Sequence, residues 1–359
     1  MSDLTKLLIK YATSTRLNRL TAVAAAAALL LAPAPADAAN GNEMRCVERT
    51  LSVRLAEDGA ANFQLWGELC RPGGAPPATV QVLLHGGTSN HNYWDFPYAD
   101  GQLSYVKAAV HAGFATFNVD RIGVGRSSHP PAADVSIAGE AVAVHDVITA
   151  LRAGSVDGHR YQRVILAGHS FGAAVGISEA ARFEDVDAFI DAGFVHAVTD
   201  AFAAEVQVAI HPADEDPMFA GRGYTDYVTT VPGTRAGLYH DPRTSNPRID
   251  AIAEATKDVQ PANEPAEIFA FAKPPTPADA ASRAVTAPVL IVMGTADRLF
   301  CGSGAFDCSD TAAIQAYEDE YWTTGVRYQF VPATGHMLQE SLTAPSTAAA
   351  MLAWARNPR

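Results

Sequence analysis

Basic residues are scarce in this chain of 359 residues. Lysine and arginine number 26, against 39 aspartates and glutamates, which gives a formal net charge of −13 at pH 7. This deficit argues against nucleic acids and anionic membrane surfaces as partners, because both attract clustered Lys and Arg. It leaves a small neutral substrate open.

The sequence also lacks an apolar run long enough to cross a membrane. Its N-terminal apolar stretch, residues 20–32, has about 13 residues, whereas a spanning helix needs roughly 20. Four basic residues precede this stretch, and Ala36-Asp37-Ala38 follows it. The pattern predicts a secretory signal peptide over residues 1–38, with an uncleaved membrane anchor as the alternative. No twin-arginine pair is present, so we expect the general secretory route, an extracellular protein and no stable anchor after cleavage.

Cysteine occurs only four times, and an even count in an exported chain predicts two disulfides. Two alternating segments flank a turn around Asp58, and a hairpin centred there sets Cys46 opposite Cys70. Cys301 then pairs with Cys308 across a short loop. No histidine cluster accompanies these pairs, so we expect no metal site.

Short apolar runs alternate with segments of helical spacing along most of the chain. Continuous apolar runs are typical of strands buried on both faces. The alternation predicts an α/β fold, in which helices cover both faces of a mostly parallel sheet. The predicted strands are 80–84, 115–119, 163–167, 188–192, 288–293 and 326–330; the predicted helices are 102–112, 137–153, 171–182 and 341–354.

Residues 196–285 interrupt this alternation. The segment is rich in Pro, Asp, Gly and Thr, has a helical piece at 248–256, and shows no pattern of a buried strand. We expect an insertion that lies over the core, between a first core part at 39–195 and a second at 286–359.

A serine between two glycines follows the predicted strand 163–167. The sequence Gly168-His169-Ser170-Phe171-Gly172 has the G-x-S-x-G pattern of a nucleophile elbow, a tight turn from strand to helix that exposes the serine hydroxyl. The five letters alone are weak evidence. The strand before them, the helix after them and the partners downstream strengthen the interpretation.

Polar residues follow the carboxyl ends of the other predicted strands, where reactive groups collect in an open parallel sheet. Ser170, Asp297 and His336 lie just past three strand ends, in that order along the chain. Two further strand ends carry the loops His85-Gly86-Gly87-Thr88 and Asp120-Arg121-Ile122-Gly123-Val124-Gly125-Arg126-Ser127.

These motifs together resemble the α/β-hydrolase superfamily. The likeness covers nearly everything from about Cys46 to the end, apart from the insertion. It implies Ser170 as nucleophile, His336 as base and Asp297 as the acid of a catalytic triad, with a lid formed by residues 196–285. Asp191, at the end of another strand, is the alternative acid.

The proposed chemistry needs these residue types. A serine hydroxyl becomes a nucleophile when a base removes its proton, and imidazole titrates near neutral pH. The backbone N–H groups of Phe171 and Gly87 are the expected oxyanion donors, with Thr88 as the alternative to Gly87. The loop His85-Gly86-Gly87-Thr88, which carries Gly87, is called the oxyanion loop below, and we expect His85 to brace it. We expect His169 to pack and form hydrogen bonds, and Asp120 and Arg121 to organise the ends of loops.

Aromatic residues follow the oxyanion loop and also occur in the insertion. Trp94, Phe96 and Tyr98 are predicted to bind substrate in an acyl pocket, with ordinary packing as the equal alternative. The aromatics of the insertion either line an apolar cavity or form a small core of their own: Phe219, Tyr224, Tyr227, Tyr239, Phe269 and Phe271.

The sequence thus predicts a secreted serine hydrolase that cleaves an ester of a small or medium-sized substrate through an acyl-enzyme. The same triad also serves amide, carbon–carbon and acyl-transfer chemistry, and a non-catalytic binding protein on the same fold is the alternative of another class. No metal or organic cofactor is implied, and the oligomeric state is left open.

Overall fold

The computed structural model describes residues 43–359, so the predicted signal peptide lies outside the described residues. The strands are β1 Met44–Val53, β2 Phe63–Pro72, β3 Thr79–Leu84, β4 Ala115–Val119, β5 Arg163–His169, β6 Ala188–Ala192, β7 Ile210–Pro212, β8 Tyr227–Thr230, β9 Gln260–Pro261, β10 Val289–Gly294 and β11 Val326–Val331. The α-helices are α1 Tyr105–His111, α2 Ile137–Ala153, α3 Phe171–Phe183, α4 Asp200–Ala209, α5 Arg235–Tyr239, α6 Pro247–Ala255, α7 Glu264–Ala272, α8 Thr311–Glu318 and α9 Ala344–Arg356.

Eight strands form the central sheet in the order β1-β2-β4-β3-β5-β6-β10-β11. The pairs β1–β2 and β2–β4 are antiparallel and the other pairs are parallel. Strands β4, β6 and β10 are buried along their whole length, as expected for a sheet covered on both faces. The predicted α/β-hydrolase fold class, a mostly parallel sheet with flanking helices, is confirmed.

Local signals explain where the long helix α2 begins and ends. The Ser136 side chain caps its first turn by accepting a hydrogen bond from the Gly139 N–H. Gly154 ends the helix in the left-handed conformation at φ 78°, which glycine adopts without a steric penalty. These signals place the helix at the bounds that the sequence predicts.

Two disulfides link the cysteines in the predicted pairs. The antiparallel register of β1 and β2 sets Cys46 opposite Cys70, and these two residues are bonded. Cys301 is bonded to Cys308 and closes the loop that follows β10. No helix among residues 43–359 has the length and apolar character to cross a bilayer.

The segment between β6 and β10 contributes no strand to the central sheet. Its strands β7, β8 and β9 form a separate antiparallel sheet of three strands. The expectation of no buried strand in this segment was wrong, because Tyr227, Thr229 and Thr230 of β8 are buried. Strand β8 is central in the small sheet, and a four-residue strand is too short to show a clear pattern in the sequence.

Candidate active site

Ser170 occupies a strained turn between β5 and α3. Its backbone has φ 52° and ψ −116°, a conformation that non-glycine residues rarely adopt. A Cβ at position 168 would overlap the backbone of Gly172, and a Cβ at position 172 would overlap the carbonyl oxygens of Leu84 and His85. Both flanking positions therefore require glycine, and the turn holds Ser170 at the wall of a cavity.

His336 lies in the loop after β11 and is paired with Asp297, which follows β10. The His336 Nδ1 lies 2.8 Å from the Asp297 Oδ2, and both side chains are buried. The other carboxylate oxygen of Asp297 accepts a hydrogen bond from the Leu299 N–H at 2.9 Å. Because Nδ1 faces the carboxylate, Nε2 is the ring nitrogen left for Ser170, which lines the same cavity as His336.

Asp191, the alternative acid, has different surroundings. It is fully buried at the end of β6 and accepts a hydrogen bond from the Phe194 N–H at 3.1 Å. Burial, together with the nearby Glu318, raises the pKa of Asp191 well above its usual range. Asp297, and not Asp191, lies beside His336.

The two expected oxyanion donors both lie at the cavity. Gly87 and Phe171 line it together with Ser170, and within residues 43–359 neither of their backbone N–H groups donates a hydrogen bond to the protein. Thr88 does not line the cavity; the guanidinium of Arg235 holds its carbonyl and hydroxyl oxygens, each at 2.9 Å. The geometry therefore favours Gly87 over Thr88 as the second donor.

The cavity is small and mostly apolar. Its volume is about 70 Å³. Its apolar walls come largely from the insertion and from the loop after Asp297. Among the apolar lining residues are Phe202, Val206, Ile210, Phe269 and Phe300.

Comparison with known proteins places the chain in a family. A family model described as "Alpha/beta hydrolase family" matches residues 81–350. This chain belongs to the alpha/beta hydrolase family. No curated protein sequence matches the chain significantly.

Solved structures of other alpha/beta hydrolases share the fold. An esterase from Exiguobacterium antarcticum superposes with a TM-score of 0.57 at 16% identity, covering 86% of this chain and 99% of the other. An esterase from Thermogutta terrifontis has a TM-score of 0.56 at 15% identity, covering 86% and 98%. An enol-lactonase from Burkholderia xenovorans has a TM-score of 0.55 at 15% identity, also covering 86% and 98%. At these identities the likeness establishes the fold alone.

In this alpha/beta hydrolase, His169 lines the cavity and contacts the backbone of His336. Its ring stacks on Tyr93 with 4.0 Å between the centroids, and its Nε2–H donates to the carbonyl oxygen of His336 at 3.1 Å. Burial, with a contribution from the nearby His336, lowers the pKa of His169 well below its usual range, so the ring is neutral. His169 therefore holds the His336 backbone in place.

A buried ion-pair network stands behind the oxyanion loop. The Arg121 guanidinium bonds Glu140 at 2.5 Å and both carboxylate oxygens of Glu264 at 2.9 and 3.1 Å. Its Nε donates to the His85 carbonyl oxygen at 3.1 Å, and it lies 4.5 Å from the centre of the Phe171 ring. Arg121 thus connects α7 of the insertion to both segments that supply the expected oxyanion donors.

His85 completes this bracing as a neutral ring. Burial, followed by the charge of Arg121, lowers the pKa of His85 to about 3. Its Nε2 accepts from the Arg121 backbone N–H at 3.1 Å, so its Nδ1–H donates to the Gly86 carbonyl oxygen at 2.8 Å. These contacts match the bracing expected of His85 and the loop-organising part expected of Arg121.

We expect Arg121→Met to lower the free energy of unfolding by roughly 3–5 kcal/mol, because it leaves two buried carboxyls without their cation. The measurement is urea unfolding followed by circular dichroism. Arg126→Met is the matched control, since Arg126 lies in the same loop but forms an exposed pair with Glu48. The decrease in the free energy of unfolding caused by Arg126→Met should be much smaller. Equal losses in the two variants would contradict a structural part for the network.

Trp94, Phe96 and Tyr98, which are predicted to bind substrate, are not among the residues that line the cavity, and their surroundings favour the packing alternative. Trp94 is fully buried against Tyr105, with 5.1 Å between the ring centroids. Phe96 packs in a small separate cluster, and Tyr98 lies at the edge of that cluster. The loop after Gly87 turns away from Ser170 before reaching these residues, which leaves them as packing aromatics.

The aromatics of the insertion divide between the two expected arrangements. Tyr239 and Phe269 line the cavity. Phe219 and Tyr227 form a small core with Tyr224 at its margin, and Phe271 packs against Phe194. Sequence spacing gives no sign of this division, because it depends on how the insertion folds back over β5 and α3.

Three cavity or loop residues were missed at the sequence level. Glu264 and Arg235 contact Arg121 and Thr88, which lie 143 and 147 residues away along the chain. Gln260 lines the cavity from β9. The only available signal was the occurrence of charged residues within otherwise helical apolar segments, and that signal does not identify their partners.

Proposed function

We propose that this alpha/beta hydrolase is a serine hydrolase that cleaves a carboxylic ester through an acyl-enzyme. The observation that carries the proposal is the meeting of four groups at one cavity. These are the strained Ser170, the His336–Asp297 pair, and the free N–H groups of Gly87 and Phe171.

In the first half-reaction, Ser170 Oγ attacks the ester carbonyl carbon while His336 Nε2 takes the hydroxyl proton. Asp297 accepts the Nδ1–H bond and stabilises the imidazolium. The carbonyl oxygen becomes an oxyanion that accepts hydrogen bonds from Gly87 and Phe171. Collapse of the tetrahedral intermediate breaks the carbon–oxygen bond of the ester, and the leaving alkoxide receives the proton from Nε2.

Water completes the second half-reaction. Nε2 takes a proton from water as its oxygen attacks the acyl carbon, and the same two N–H groups bind the oxyanion. Collapse of this intermediate returns the proton to Ser170 Oγ and releases the carboxylic acid. The free enzyme is restored without a cofactor.

The cavity supports a substrate with a short acyl group. Its volume is about 70 Å³, and its walls are mainly aliphatic and aromatic. Helix α4 and helix α7 supply much of the wall, which supports a lid formed by residues 196–285. The two disulfides support an oxidising compartment, in agreement with the export expected from the N-terminal segment.

Labelling with a fluorophosphonate tests this proposal. We expect the wild-type protein to gain one covalent adduct, located by peptide mass spectrometry at Ser170, because the phosphonyl group reacts only with an activated hydroxyl. Labelled protein should lose activity on a chain-length series of chromogenic esters, with the highest kcat/KM on short acyl groups. Absence of labelling would favour a non-catalytic binding protein. Labelling without ester turnover would redirect the proposal to amide, carbon–carbon or acyl-transfer chemistry.

A further inference from the structure

Gln260 lies at the cavity wall beside an expected oxyanion donor. It belongs to β9 of the insertion, is 5% exposed, and lines the same cavity as Ser170. A Cβ at position 87 would overlap the side-chain oxygen of Gln260. The amide of Gln260 therefore lies directly against the backbone of Gly87.

The Gln260 amide is not engaged by the protein. Three other polar side chains at the cavity form hydrogen bonds within the protein. His336 bonds Asp297, His169 Nε2 bonds the His336 carbonyl oxygen, and Glu264 bonds Arg121. Within residues 43–359, the Gln260 amide forms no hydrogen bond with another residue. Because Gln260 lines the cavity and its amide has no partner in the protein, the amide is available to a group that enters the cavity.

The position of this amide limits the substrate atom that it can reach. The substrate carbonyl oxygen is expected at hydrogen-bonding distance from the Gly87 N–H, and the amide lies against the same residue. A group that contacts both is separated from the scissile carbonyl by only a few bonds. The remaining walls are mostly apolar. The amide therefore favours a substrate that has a polar group on this one side of an otherwise apolar acyl pocket.

We propose that Gln260 is a specificity-determining residue that hydrogen-bonds a hydroxyl group on the α- or β-carbon of the acyl chain. An amide offers both a donor and an acceptor, which matches a hydroxyl in either direction. The substrate class is then short hydroxyacyl esters. This inference rests on the proposed ester hydrolysis, and it adds to that proposal the polar group that the pocket recognises.

The test compares ethyl 2-hydroxybutanoate, ethyl 3-hydroxybutanoate and ethyl butanoate, with acid release followed in a pH-stat. We expect the wild-type enzyme to prefer at least one hydroxy ester by roughly 10- to 100-fold in kcat/KM, because binding of the analogue without the hydroxyl leaves the Gln260 amide unpaired. In Gln260→Met, kcat/KM for that hydroxy ester should fall by a similar factor, while the value for ethyl butanoate is retained or rises.

A matched control and a labelling measurement complete the experiment. Gln207→Met changes a glutamine that lines a neighbouring surface cavity and not the Ser170 cavity, so the hydroxy-ester preference should persist. Equal fluorophosphonate labelling of wild type and Gln260→Met would show that the catalytic groups are intact. A uniform fall on all three esters would make Gln260 a third oxyanion donor and overturn the inference, as would an unchanged preference. Absence of turnover and labelling in the wild type would overturn the proposed function, and this inference with it.

Discussion

Ser170→Ala is expected to lower kcat for ester hydrolysis by roughly 10⁶-fold, because the acyl-enzyme cannot form without the hydroxyl. The oxyanion donors and the apolar pocket are retained, so a small rate above the uncatalysed one should remain. The measurement is a stopped-time assay on a short chromogenic ester at enzyme concentrations high enough to detect this residual rate.

The fold should tolerate this change. The turn at Ser170 is held by close contacts at Gly168 and Gly172, which an alanine between them leaves intact. Ser178→Ala is the matched control, because Ser178 lies on the same helix but outside the residues that line the cavity. Both variants should unfold at the wild-type temperature. Turnover by Ser170→Ala above about one percent of wild type would be incompatible with nucleophilic catalysis by this residue.

The elements of the central sheet were predictable because their signals are local. Strands β4 and β6 are short, mostly apolar segments that are buried along their whole length, and their bounds match the prediction from sequence. Helix α2, which begins after a serine cap and ends at a glycine, has the bounds predicted from sequence. Parallel strands place their carboxyl ends on one edge, so the strand ends alone bring Ser170, Asp297 and His336 to the same region.

The pocket was not predictable in the same way. Its walls depend on helices α4 and α7, whose position over the sheet is set by contacts between distant residues such as Glu264 and Arg121. The same limit applies to Trp94 and Phe96: closeness in sequence to Gly87 suggested a pocket, whereas the loop carries them into packed clusters. Local patterns predict elements and strand ends, but long-range packing decides which side chains face the substrate.

Two aspartates remain as alternatives for the triad acid from the sequence, and substitution of each by asparagine distinguishes them. We expect Asp297→Asn to lower kcat by about 10⁴-fold, and Asp191→Asn to change it by no more than a few-fold. Burial raises the pKa of Asp191 well above its usual range, and asparagine preserves both its shape and its acceptor for the Phe194 N–H. Both variants therefore make the same chemical change, from aspartate to asparagine, and differ only in the position that is changed.

The large effect at position 297 follows from the direction of the hydrogen bonds. One carboxylate oxygen of Asp297 accepts from the Leu299 N–H, and the other faces His336 Nδ1. In Asp297→Asn the amide oxygen keeps the Leu299 bond, so the NH₂ group turns toward Nδ1 and donates to it. The ring proton then moves to Nε2, which can no longer accept the proton of Ser170. Comparable losses in the two variants would contradict this assignment, and a loss confined to Asp191→Asn would place the acid on β6.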